Sequence, residues 1–153
     1  GRRLFIVMCI AAAPCKVLEG RIAWRGLAGY SLAGLFAVYS MYRTTLFSRI
    51  ASISGSLWFP DFKEYVFSRE PVQTPTHLYF SLGDRECKTK NPYLKTVQNH
   101  TETMEAFYRR QGIHTTLCIN AGGHFKDTAK RTAAGIWWLL SMPAKSVETA
   151  KFL

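Results

Sequence analysis

The stretch Gly29-Tyr30-Ser31-Leu32-Ala33-Gly34 decides how the rest of the chain reads. It stands between a short apolar run, Gly26-Leu27-Ala28-Gly29, and a helical stretch from Leu32 to Tyr42. In that stretch Leu32, Phe36 and Tyr39 recur three or four residues apart. A serine on a sharp strand-to-helix turn has a strained backbone, and the residues two places to either side must be small. Gly29 and Ala33 meet that need, with alanine where glycine is usual. Gly34 eases the contact of helix on strand. Such a turn aims the N–H of Leu32, and the positive end of the helix, at an oxyanion formed by attack of Ser31. A small-residue turn in an inert α/β domain has the same composition, so this stretch alone does not decide function.

Downstream, strands and helices alternate. Arg49 to Ser54 reads as a strand ended by Gly55, Asp61 to Phe67 as a short helix, and Pro71 to Pro75 as loop. His77 to Leu82 is a strand stopped by Gly83-Asp84. Asn91-Pro92 opens a helix that places Leu94, Val97, Thr101, Met104 and Tyr108 on one face and ends at Gly112. Thr115 to Ile119 is a further strand, and Gly122-Gly123 breaks the chain. A last helix, Lys126 to Ser141, is expected to bury Ala129, Ala133, Ile136, Trp137 and Leu140. Strands separated by helices predict an α/β fold with a parallel sheet of about four strands, covered by helices and joined right-handedly. Chemistry in such sheets gathers in loops at the carboxyl ends of the strands.

Three of those loops carry reactive groups: Ser31, then Asp84 and Glu86, then His124. A hydroxyl needs a general base to attack at neutral pH, and the base needs a partner to fix its tautomer. The order serine, acid, histidine is that of α/β hydrolases. His124 follows two glycines, which suits an exposed loop. His77, His100 and His114 read as surface or structural residues.

Four blocks carry a resemblance: Gly29–Gly34, Ser54-Gly-Ser-Leu-Trp-Phe59, Leu82-Gly-Asp-Arg-Glu86 and Gly122-Gly-His-Phe-Lys-Asp127. In this order they resemble the bacterial esterases related to enterochelin esterase, within the α/β-hydrolase superfamily. The resemblance covers about residues 26–141. It implies a serine esterase acting on small carboxylic esters, siderophore-type esters among them, with Ser31 as nucleophile and His124 as base. Many relatives carry G-x-x-D or G-x-x-E after the acid's strand, which favours Glu86 over Asp84. The N–H of Leu32 is the expected oxyanion donor, and Trp58 and Phe59 could wall an acyl or aryl pocket as readily as pack under a helix. The resemblance also implies an upstream half of the sheet supplying a second oxyanion donor. Residues 26–153 are thus expected to be the C-terminal half of an α/β-hydrolase domain, and residues 1–25 an atypical segment. A non-catalytic remnant of that fold is the competing expectation.

Composition bounds the alternatives. In 153 residues, 48% apolar and 14% aromatic content excludes a disordered chain. The net charge of +10 makes nucleic acid a candidate partner. It is heaviest in the first fifty residues, with seven basic groups against one acid, and no DNA- or RNA-binding motif accompanies it. Arg85, Lys88, Lys90 and Lys126 near the proposed site suit an anionic ester or a solvated loop. Cys9, Cys15, Cys87 and Cys118 show no metal-ligand or disulfide spacing. No metal, cofactor, nucleic acid or membrane partner is therefore expected. Reduced thiols point to the cytoplasm. Leu4 to Ala13 resembles a short secretory segment behind Gly1-Arg2-Arg3, but Pro14 suits cleavage badly, so a buried strand or a poorly specified end segment is the expected reading.

Overall fold

The computed structural model describes residues 7–12 and 23–143. Five strands form one sheet: β1 (Val7–Ala12), β2 (Trp24–Tyr30), β3 (Arg49–Ile53), β4 (His77–Gly83) and β5 (His114–Asn120), in that spatial order. β2 to β5 are parallel, the four-stranded sheet that strand–helix alternation predicts. β1 is antiparallel to β2, pairing Val7 with Gly29 through Ala12 with Trp24. The apolar run near the N-terminus therefore supplies an added strand, and the rest of that segment lies outside the described residues.

Alternation along the strands divides the core into two layers. Leu27, Ile50, Leu78 and Phe80 face α1 (Leu32–Ser40), α2 (Phe62–Phe67) and α3 (Val97–Arg110). Ala28, Ala51, Ile53 and Tyr79 face α4 (Thr128–Ser141) on the other side. The α3 face is the expected one, with Val97, Thr101, Met104 and Tyr108 buried. Asn91 accepts the N–H groups of Tyr93 and Leu94 through its side chain at 2.9 and 3.2 Å, and a short 3-10 turn, Leu94–Thr96, leads into the helix.

The buried face of α1 does not follow its apolar repeat, and that of α4 differs from expectation. In α1 the buried residues are Ala33, Gly34, Ala37, Val38 and Ser40, while Leu32 and Phe36 are exposed. The helix lies so close to the sheet that only small side chains fit: a Cβ on Gly34 would stand 2.9 Å from Gly55 Cα, and one on Gly29 would collide with the Ala33 carbonyl. In α4 the buried stripe is Arg131, Gly135 and Leu139, with Ile136 half-buried, whereas Ala129, Ala133, Trp137 and Leu140 are exposed. Gly135 is the contact point, since a Cβ there would sit 3.0 Å from the Tyr79 ring. A stripe chosen by apolarity passed over the arginine and the glycine that tertiary packing selects.

Arg49, buried at the start of β3, secures the far end of α4. It donates to the carbonyls of Leu139, Met142 and Pro143, the last two at 2.9 and 3.0 Å, and lies 4.0 Å from the centre of the Trp24 ring. Carbonyls at a helix C-terminus lack intrahelical partners, and a cation satisfies them best.

The close approach at Gly29 yields a direct stability test. Gly29→Ala should lower the unfolding free energy by at least ~2 kcal/mol, because backbone must move to admit the methyl. Gly123→Ala, where a Cβ meets no atom within 4 Å, should stay within about 0.5 kcal/mol of the parent in urea titration.

Candidate active site

β2 ends at Tyr30, and Ser31 turns the chain into α1 with φ 59° and ψ −121°. A non-glycine residue in that region stores about 1–3 kcal/mol unless its surroundings hold it. Here the holding is explicit. The Ser31 N–H donates to the Ile53 carbonyl at 3.0 Å. Its own carbonyl accepts from Gly34, Leu35 and Ser56 at 2.9, 3.2 and 3.0 Å. Ser31 occupies the N-cap position of α1, yet its side chain makes no capping bond. The hydroxyl instead lies 3.0 Å from Nε2 of His124.

His124 stands in the loop between β5 and α4, and its Nδ1 lies 2.7 Å from Oε2 of Glu86. With a carboxylate on Nδ1, the ring proton sits there and Nε2 is left to accept from Ser31. The imidazole is 29% exposed and the Glu86 side chain 4%, so the base is reachable while its partner is sealed off. Tyr30 donates its hydroxyl to the His124 carbonyl, and its ring stands 5.4 Å from the imidazole. The residue before the serine thus anchors the loop that carries the histidine.

Glu86, not Asp84, faces the imidazole. Asp84 is exposed and accepts the Gly122 N–H at 2.7 Å, while its own N–H donates to the Asn120 carbonyl at 2.8 Å. It stitches the acid loop to the histidine loop. Gly83 is needed at that seam, because a Cβ would collide with the Gly122 carbonyl. Glu86 Oε1 accepts three donors: Ser54 Oγ at 2.7 Å, the Gly83 N–H at 2.6 Å and Arg131 Nη2 at 3.0 Å. Burial pushes the carboxyl up, but the hydrogen bonds from His124, Ser54, Gly83 and Arg131 outweigh it and hold the group below its ordinary value.

The Ser56 N–H on the Ser31 carbonyl fastens the loop bearing Trp58 and Phe59 beside the serine. Trp58 is half-buried and Phe59 half-exposed, their ring centres 6.5 Å apart. Leu32 opens α1, where the first N–H groups have no intrahelical acceptor. Phe125 packs edge-on to His124 at 4.9 Å and is 78% exposed. His77 and His114 begin β4 and β5, at the opposite end of the sheet from Ser31, and His100 sits 3.1 Å from the Leu57 carbonyl. Cys87 and Cys118 are unpaired thiols; Cys15 and the Cys9 side chain lie outside the described residues. Among the described residues no group of three or more His, Cys, Asp or Glu is placed to hold a metal ion, and no helix is long and apolar enough to cross a membrane.

Sequence reasoning missed Ser54 and Arg131. Ser54 was visible only as the last residue of a strand and the first of a block ending in Trp58-Phe59. Arg131, Gly135 and Leu139 recur every fourth residue on one stripe, a signal that the more apolar opposite stripe concealed.

No family model matches the chain. It is 25% identical over 121 residues to the uncharacterized protein YbbA of Bacillus subtilis, an alignment covering 75% of this chain and 48% of that protein. Among solved structures it is similar to the siderophore hydrolase EstA from Aspergillus nidulans, with TM-score 0.56 and 18% identity over 76% of this chain and 48% of that one. An IroE-like serine hydrolase from Shewanella oneidensis gives 0.57 and 19%, over 72% and 38%. EstB from Aspergillus nidulans gives 0.53 and 19%, over 79% and 50%. The fold is thus a partial α/β-hydrolase fold. It shares that fold with these three solved structures over 72–79% of its own length, and the chain spans about half the length of the curated relative that it matches.

Because folding lowers the pKa of Glu86, its charged form stabilises the native state above the unfolded carboxyl value. That contribution is lost as pH falls through the lower folded value. The stability gap between the parent and Glu86→Gln should therefore be widest near neutrality and narrow through the acid range. Denaturant titrations across pH will read it; a gap that stays constant would show that the Glu86 charge is not held by these bonds.

Proposed function

We propose that this chain carries the nucleophile, base and acid of a serine esterase acting on small-molecule carboxylic esters. The observation that carries the reading is the continuous hydrogen-bonded line from Ser31 Oγ through His124 to Glu86 Oε2. In the proposed cycle His124 Nε2 takes the Ser31 proton as Oγ attacks the ester carbonyl. The N–H of Leu32 and the positive end of α1 favour the tetrahedral oxyanion. The alcohol leaves with the proton from His124, giving an acyl-Ser31 ester. Water, deprotonated by His124, then attacks the acyl carbon and releases the carboxylic acid, restoring Ser31. Glu86 stabilises the imidazolium formed in each half.

The sequence resemblance and the siderophore hydrolases among the structural relatives favour a siderophore-type ester as the narrower substrate class. Trp58 and Phe59 are the proposed walls for its acyl or aryl part. The resemblance assigns the second oxyanion donor to a segment upstream of the nucleophile strand. Covalent capture of Ser31 is therefore a more direct test of the triad than turnover.

A fluorophosphonate probe should label the native chain and leave Ser31→Ala unlabelled, with the adduct on Ser31 by peptide mass spectrometry. His124→Ala should slow labelling by at least about 10³-fold. Hydrolysis of p-nitrophenyl butyrate, where measurable, should fall with both variants. Equal labelling of the native chain and Ser31→Ala would overturn the assignment.

A further inference from the structure

We propose that Arg131 is a positioning residue that locks the Glu86 carboxylate and offsets its charge, keeping His124 an unprotonated acceptor over a wider range of pH. The inference rests on the reading of Ser31 and His124 given above. Arg131 rises from the first turn of α4 and is 4% exposed. Its Nη2 donates to Glu86 Oε1 at 3.0 Å and to Ser54 Oγ, which donates in turn to the same carboxylate oxygen at 2.7 Å. With the Gly83 N–H, Oε1 has three donors, and Oε2 is left to His124. The carboxylate plane cannot tilt away from the imidazole without breaking that set.

The charge matters as much as the geometry. A buried carboxylate 2.7 Å from Nδ1 favours imidazolium, and an imidazolium cannot take the proton of Ser31. A guanidinium on the opposite oxygen offsets that pull. The other titratable groups around it are accounted for. Tyr30, from β2, has its hydroxyl 3.5 Å from Arg131 Nη1 and its ring centre 5.8 Å from the guanidinium carbon. Tyr79, from β4, faces Arg131 on the same layer, with Cys118 of β5 beside it. Burial raises both phenols, Tyr79 to about 12, so both are neutral in the working range. Asp84 and Lys126 are exposed along the Gly122 backbone. An arginine serving only to fasten α4 to the sheet would affect stability and rate but not the pH at which the base protonates.

The test measures the rate of Ser31 labelling by the fluorophosphonate probe against pH in the full chain, Arg131→Gln and Arg131→Lys. Arg131→Gln should slow labelling and move the acid limb about one pH unit upward, a further tenfold loss on its acid side. Arg131→Lys keeps the charge but not the paired donors, so it should slow labelling while leaving the limb near its native position. A rate lowered by one factor at every pH in Arg131→Gln would overturn the proposal. If that variant does not fold, Arg131→Met, a neutral chain of similar length, replaces it: an upward move of the limb supports the proposal and an unmoved limb overturns it. If the native chain does not label at all, the esterase reading fails by itself. The His124 ring titration followed by NMR then decides, with a higher midpoint in Arg131→Gln supporting the role of Arg131 and an equal midpoint overturning it.

Discussion

Glu86 holds a charge where only 4% of its side chain reaches water, and the site is arranged around that burial. Stripping a carboxylate of water costs several kcal/mol unless donors replace the solvent. Four groups do so here, from four parts of the chain: Ser54 at the end of β3, Gly83 at the end of β4, His124 from the loop after β5, and Arg131 from α4. Because each donor is needed to offset the same desolvation, the elements cannot shift independently. The carboxylate is at once a fastener of the sheet's carboxyl edge and the group that orients the imidazole.

Backbone strain gathers at the same edge. Among the described residues four non-glycine positions have positive φ: Ser31, Ser54, Asp61 and Asp127. Ser31 presents a hydroxyl to His124, Ser54 presents one to Glu86, and Asp127 begins the helix that delivers Arg131. Such conformations persist only where surrounding bonds over-determine them. The Ser31 carbonyl with three N–H donors, and the Ser54 N–H on the Ser81 carbonyl at 2.8 Å, supply that restraint. The strained positions Ser31, Ser54 and Asp127 thus stand where the side chains of this edge converge.

The strand–helix order, the parallel sheet and the loops holding Ser31, Glu86 and His124 were legible because they rest on local signals: small residues at a turn, glycines after strands, chain order. The preference for Glu86 over Asp84 came from a family spacing; nothing local says that Asp84 will be spent on the Gly122 N–H. The faces of α1 and α4 were not legible, since apolar periodicity describes a helix in isolation. The distance at which α1 packs is set by Gly29 and Gly34 within one short stretch and by Gly55 beyond the next strand, which no helical window contains. Arg131 escaped for the same reason. Its partner is 45 residues away, and a charged residue on a helix is ordinarily assigned to solvent.

α4 shows how stability and site geometry share one element. One arginine leaves the helix near its start for the acid, and another reaches it from β3 to satisfy its last carbonyls. Between them Gly135 lets the helix rest directly on the Tyr79 ring. A helix fixed at both ends and lowered in the middle has little freedom to rotate. The register of its first turn, and with it the place of the guanidinium, is therefore set in part by contacts at the far end of the sheet. Replacing Arg49 or Gly135 touches none of the groups around Ser31, yet either change alters the seating of the helix that brings Arg131 to Glu86. Their effects should reach the imidazole through that displacement rather than through charge.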